Sequence, residues 1–253
     1  MISLRWKQVQ IGHHKHPDNI AEFLANSRNV RLEEMGTDIF HNPFLMPDSK
    51  KAVNRILQAH KDGERVMIFW DYDVDGVSST AALFLFLRDE LEMDVSYRLP
   101  HRVKDWYGMK VYHIEEIVGT GAKLLITVDC GTKDIEPIKR AYELDLDVIV
   151  TDHHSCPSVL PECVAVVNPR RHDSLYPFDG LSGSWVIWKL IHAISLTFFD
   201  TEKTQHILQK YVDIVSLGTV ADCMPMIDEN RTIVRKGLSQ ARDSHHPFFH
   251  IFS

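Results

Sequence analysis

Short apolar runs alternating with helix-forming segments constrain this chain more than any other feature. VMIFW (66–70), DVSYRL (94–99), KLLITV (123–128), DVIVT (147–151) and CVAVVN (163–168) read as strands, and the most apolar of them as buried ones. Between them lie SSTAALFLFLRDEL (78–91), VYHIEEIV (111–118) and IEPIKRAYEL (135–144), which read as helices. That alternation predicts βαβ units and an α/β fold: a doubly wound, mostly parallel sheet with helices on both faces. An earlier helix is predicted from Ser49 to Ala59, with Val53, Ile56 and Leu57 at helical spacing and Asp48 or Ser49 as its N-cap. Helices from Gly183 to Phe198 and from Thr201 to Leu217 would close the domain. Residues 1–48 read as a lead-in, ending in the proline-marked connection HNPFLMPDSK.

Ligands of an open parallel sheet bind beyond the carboxyl ends of its strands. Asp71, Asp73 and Asp75 follow the first strand, Asp129 the third, and Asp152, His153 and His154 the fourth. Carboxylates gathered there would raise one another's pKa unless cations sat between them. Oxygen ligands suit hard divalent ions, and added imidazole shifts the preference toward manganese or another transition ion. Four or more Asp with one or two His therefore read as a dinuclear centre. Two metals about 3.5–4 Å apart activate water and stabilise a leaving oxygen, so the natural reaction class is metal-dependent phosphoester hydrolysis. Neighbouring side chains of an extended chain diverge, so one of His153 and His154 is expected on metal and the other toward substrate. Asp152 is a candidate for orienting an imidazole.

Two other readings of these residues fail. DYDVDG fits the start of an EF-hand loop, but its twelfth position is Ala82, where a bidentate Glu is needed. A zinc site lacks ligand spacing among Cys130, Cys156, Cys163 and Cys223, of which the first three read as packing. Unpaired cysteines suggest reduced thiols in a cytoplasmic protein. MISLRWKQVQ has no signal-peptide core, and no apolar run approaches the roughly 18 residues of a membrane span. The net charge of −7 argues against a generic electrostatic nucleic-acid binder. It leaves a nuclease open, because bound cations neutralise a carboxylate site. The pairs His13-His14 and His245-His246 read as solvated surface.

DYDVDGVSST, ITVDCGT, VIVTDHH, VVNPRR and SLGTVADCMPMIDENR together resemble the DHH phosphoesterase superfamily, and specifically its RecJ-like single-strand exonucleases. The resemblance runs from about Phe44 to Leu238 and makes 49–238 a DHH catalytic domain. It implies two manganese (or magnesium) ions, held by Asp71, Asp73, Asp75, Asp129, His153 and Asp222. It implies catalytic roles for Asp75, Asp129 and His154, with His154 beside the scissile phosphate. RLPHRVKDWYG is similar to the family's phosphate-contacting loop, which makes Arg102 and Tyr107 substrate-binding candidates. Asn168 in VVNP is grouped with them as a residue that holds the site's polar network, with a helix-capping or turn role as its other reading. The implied activity is stepwise 5′→3′ release of 5′-mononucleotides from single-stranded DNA in repair or recombination. Single-stranded DNA is the implied partner, with a single-strand-binding protein as a further one.

The sequence departs from the family pattern in two ways. RecJ-like enzymes carry a second, DHH-associated domain, so residues 239–253 are expected to be a truncated tail with that domain missing. Trp70, Trp106 and Trp185 stand where the pattern carries glycine, in a chain with only 12 glycines and 5 tryptophans. An indole at such points is expected to crowd the metal edge or a helix N-terminus. One reading is that UGA codons meaning glycine in the source have been translated as tryptophan; UGG at all three codons would overturn it. Two further functional readings stand beside the exonuclease: a DHH-type phosphodiesterase of oligonucleotides or cyclic dinucleotides, and an inactive DHH-fold scaffold or gene fragment.

Overall fold

The computed structural model describes residues 37–70, 72–100 and 108–244, together with His246 and Phe249. Five parallel strands form one sheet: β1 (Val66–Trp70), β2 (Val95–Arg98), β3 (Leu124–Val128), β4 (Asp147–Thr151) and β5 (Ala165–Val167), in the order β2-β1-β3-β4-β5. Eight α-helices accompany them among the described residues: α1 (Ser49–Asp62), α2 (Val74–Asp89), α3 (Val111–Gly119), α4 (Ile135–Glu143), α5 (Gly183–Phe198), α6 (Thr201–Lys210), α7 (Val212–Ala221) and α8 (Asp228–Ala241). The doubly wound α/β fold expected from the alternation is the one observed.

The strands divide their side chains between two cores, as alternation across a pleated sheet requires. Val66, Ile68 and Trp70 of β1 face one core, which they share with α1, α2, α5 and α7. Met67 and Phe69 face the other, with Ile114 and Ile117 of α3 and Ile138 and Ala141 of α4. The strand order explains this division. The chain leaves β1 toward β2, then returns across β1 to lay down β3, β4 and β5 in the opposite direction. Crossovers of one hand must then cover opposite faces. The reversal places the switch point between β1 and β3.

Several element boundaries differ from those the sequence suggests. Helix α2 begins four residues earlier than expected, because the Asp73 side chain accepts from Gly76 N at 2.8 Å and caps it. Asp48 does occupy the N-cap of α1, but its carboxylate serves Lys51, Arg171 and Val166 N rather than the helix. The helix expected over 201–217 is two helices broken at Tyr211, whose ring is wholly buried. Helix α8 lies in a stretch too polar to read as a packed helix. His246 is a correction: it is mostly buried, stacked on Tyr211, with Nε2 3.0 Å from Lys210 O, rather than solvated surface. His13, His14 and His245 lie outside the described residues.

Candidate metal centre

Sheet register builds the site. Trp70 pairs with Val128, Val128 with Thr151, and Thr151 with Val167, so four strands end in one row. The residues after that row are Asp71, Asp129, Asp152 and Asn168. Flush strand ends thus set polar residues from distant parts of the sequence side by side at the switch point. Asp71 itself lies outside the described residues, as do Arg102, Tyr107 and Trp106.

His153 is buried and stands at the centre. Its Nε2 lies 3.1 Å from Asp129 Oδ1, 3.6 Å from Asp222 Oδ2 and 3.8 Å from Asp75 Oδ2. The ligand atoms of Asp75, His153 and Asp222, and those of Asp129, His153 and His154, lie within 4.8 Å of one another, so both groups could hold a metal ion. Asp73 is exposed beside them, with one oxygen spent on the α2 cap and its charge acting on Asp129. The structure therefore gathers Asp75, Asp129 and Asp222 around one imidazole, with Asp73 near enough for its charge to act on Asp129.

Electrostatics sets Asp129 apart. It is buried, adopts a left-handed backbone (φ 59°), and its Oδ1 accepts no hydrogen bond. The contact from His153 lacks hydrogen-bond geometry, and His153 Nδ1 is itself buried without a partner. Burial, followed by the charges of Asp75, Asp73 and Asp152, pushes the Asp129 carboxyl up to about 10. Burial also raises Asp75, although Gly183 N and Ser184 N donate to its two oxygens at 2.6 and 3.0 Å. Those donors are the N-terminus of α5, which favours negative charge. An orphaned buried oxygen, an orphaned imidazole nitrogen and converging carboxylates are the donor set of a divalent-cation site. The residues fit the group that the sequence implies.

Asp152 has a different task. Its Oδ1 accepts from His153 N, His154 N and His154 Nδ1 at 2.7–3.0 Å, and its Oδ2 from Thr132 N at 3.0 Å. Burial alone would raise Asp152, but these donors, His154 foremost, hold it well below the usual carboxylate range. The same bond lifts His154 above an ordinary histidine. Strand β4 ends at Thr151, and just beyond it the two imidazoles diverge less than expected, with ring centroids 4.6 Å apart. His153 turns inward all the same, while the His154 side chain is half exposed.

Asn168 stands in the polar network beside His154. It is wholly buried, and both amide hydrogens are spent, on His154 O at 2.9 Å and Thr132 Oγ1 at 3.2 Å, while Oδ1 accepts from Arg170 N. It braces the loop that carries His154. Sequence reasoning passed over Gly183, Ser184 and Gly218. A Cβ at Gly183 would lie 2.6 Å from Asp129 Oδ1, and one at Gly218 2.2 Å from Asp75 Oδ1, so backbone must approach both carboxylates here. The available signal was the small-residue run SGS at a capped helix start.

The two described tryptophans at glycine positions are buried members of the core. Trp185 stacks on Trp188 at 4.5 Å and donates to Glu229 Oε2 at 3.4 Å; the Trp70 indole nitrogen is buried without a partner.

The model of the "DHH family, N-terminal domain" matches residues 65–219. The chain belongs to the DHH family. The single-stranded-DNA-specific exonuclease RecJ of Bacillus subtilis is 38% identical over 218 residues, covering 86% of this chain and 26% of that protein. RecJ of Haemophilus influenzae is 34% identical over 249 residues, covering 96% of this chain and 43% of that protein. Against a crystal structure of exonuclease RecJ bound to manganese, the TM-score is 0.69 at 28% identity, over 79% of this chain and 49% of that one. Against Thermus thermophilus RecJ in complex with Mn²⁺ it is 0.75 at 24% identity, over 91% and 32%, which bears on the fold alone. The DHH chain thus spans less than half the length of these relatives. No helix of its described residues is long and apolar enough to cross a membrane.

Proposed function

We propose that this chain is the catalytic domain of a RecJ-like, manganese-dependent 5′→3′ exonuclease of single-stranded DNA, acting in repair or recombination in the cytoplasm. Residues 49–238 form that domain, 1–48 lead into it and 239–253 follow it. Two Mn²⁺ ions, or Mg²⁺, would be held by Asp71, Asp73, Asp75, Asp129, His153 and Asp222. The observation that carries the reading is Asp129: a buried carboxylate without a hydrogen-bond donor, facing Asp75 and His153.

When bound, the ions would neutralise phosphoryl charge and lower the pKa of the attacking water. The chain's own residues supply the rest. Asp75, fixed by the α5 N-terminus, and Asp129, fixed by its left-handed turn, set where those ions sit. His154, with Nδ1 held by Asp152, keeps Nε2 for a non-bridging phosphate oxygen, and the Asp152 bond, by raising its pKa, favours the protonated form that donates there. Arg102 and Tyr107 are proposed to contact the DNA, and a single-strand-binding protein to deliver it.

Incubation of the chain with Mn²⁺ and a 5′-labelled single-stranded oligonucleotide tests the proposal, with labelled 5′-mononucleotide as the expected product. Cleavage confined to dinucleotides would replace it with a short-oligonucleotide phosphodiesterase. Absence of Mn²⁺ binding would leave a non-catalytic scaffold.

A further inference from the structure

The segment DENR after the Asp222 motif has no part in the chemistry described so far, yet Asn230 links both sides of the metal centre. Its side chain is wholly buried at the start of α8 and donates to Gly180 O at 2.6 Å and to Pro225 O at 3.0 Å. Both acceptors are carbonyls, so only the amide nitrogen can serve both, which fixes the amide orientation. Gly180 precedes the α5 N-terminus, whose Gly183 and Ser184 N–H groups hold Asp75. Pro225 follows Asp222 through a turn with Cys223 in the left-handed region (φ 54°). One amide thus ties the loop that places Asp75 to the loop that places Asp222.

Those two carboxylates both approach His153 Nε2, to 3.8 and 3.6 Å. They enter from different helices, Asp75 in the first turn of α2 and Asp222 at the end of α7. Ser182 Oγ with Thr219 Oγ1, and Ser184 Oγ with Val215 O, each 3.0 Å apart, join α5 to the body of α7. The loop beyond Asp222 is held instead by Asn230 and by the backbone turns from Thr219 and Pro225.

We propose that Asn230 is a positioning residue that sets the separation of Asp75 and Asp222, and with it the affinity of the cluster for Mn²⁺. The inference rests on the metal-centre reading above. Groups that orient metal ligands typically change affinity by about 10–100-fold when removed. Titration of the metal-free chain with MnCl₂, followed by calorimetry and by the Mn²⁺ EPR signal, compares wild type with Asn230→Ala and Asn230→Asp. Circular dichroism confirms folding.

Both variants should bind Mn²⁺ at least about tenfold more weakly. Asn230→Asp should be the worse, because it turns a carboxylate toward two carbonyl oxygens. Oligonucleotide hydrolysis should fall at limiting Mn²⁺ and recover as Mn²⁺ is raised, a rescue that a general loss of folded protein would not show. Should Asn230→Asp fail to fold, Asn230→Ser, which keeps a short donor but cannot reach both carbonyls, decides the matter. Folded variants that bind Mn²⁺ as wild type does would overturn the role of Asn230 while leaving the metal centre intact. Failure of wild type itself to bind Mn²⁺ would overturn both.

Discussion

Two groups of buried charge lie along the first two turns of α5, and they are handled in opposite ways. At the helix N-terminus, Asp75 and Asp129 crowd around His153, and Asp129 Oδ1 and His153 Nδ1 have no hydrogen-bond partner. At Lys189 in the same helix, the ammonium pairs with Glu229, donates to His41 O at 2.8 Å and has aromatic rings of Phe40, Tyr176, Trp185 and Trp188 within 5.3–5.8 Å. Glu229 also accepts from His41 N, Tyr176 Oη and Trp185 Nε1. His41, Asp228 and Glu229 have the composition of a metal site, but an ammonium already occupies the cation's place. The lesson is that acidic residues alone do not mark a metal centre. Several carboxylates converging without a cation do, because like charges buried together are too costly to keep without a ligand.

That contrast predicts opposite signs for charge removal. The largest effect belongs to Asp129→Asn, which should bring Mn²⁺-dependent hydrolysis to background. The same change should raise the melting temperature of the metal-free chain, by about 2–4 °C for each kcal/mol of relieved repulsion. A metal-free variant that melts lower than wild type would break the comparison. Next comes Lys189→Met, which strands Glu229 in the core and should cost about 3–5 kcal/mol in urea unfolding. A loss under 1 kcal/mol would show that the pair is not the compensated site described here.

Metal addition is a smaller lever. Mn²⁺ at about 100 times its Kd should stabilise the wild-type chain by about 2.7 kcal/mol, and Asp129→Asn should abolish that gain in thermal melts. The smallest effect is expected at Asp48, a half-buried carboxylate joined to Lys51 and Arg171. Burial raises its pKa, but those partners win and hold it below the ordinary value. Its contribution, about 1 kcal/mol, should be present above pH ~4 and fade as pH falls through the folded-state pKa. Asp48→Asn should therefore destabilise at pH 7 and converge with wild type in acid. Equal losses at both pH values would place the interaction outside charge pairing.

The comparison also shows how much of the site was legible beforehand. Asp129, His153 and Asp222 stand out in the sequence because each follows an apolar run or a family motif. The Lys189–Glu229 pair does not, since nothing local distinguishes a lysine inside WVIWKLIH from one that reaches solvent. The strand end likewise marks Asn168 as a residue of the site's polar network, but only packing reveals that its amide is consumed by His154 O and Thr132 Oγ1.

By itself, the sequence determined the strand and helix alternation, the α/β class and the placement of Asp and His at the carboxyl ends of strands. These follow from short-range periodicity, which hydrophobic burial imposes on any window of the chain. The strand order, the flush register that aligns the strand ends Trp70, Val128, Thr151 and Val167, and the break at Tyr211 were decided by tertiary structure. So were the seating of Asp75 on Gly183 and Ser184 and the bridge made by Asn230. Each depends on groups far apart in sequence, and whether a buried polar atom finds its partner is settled only when the chain has closed around it.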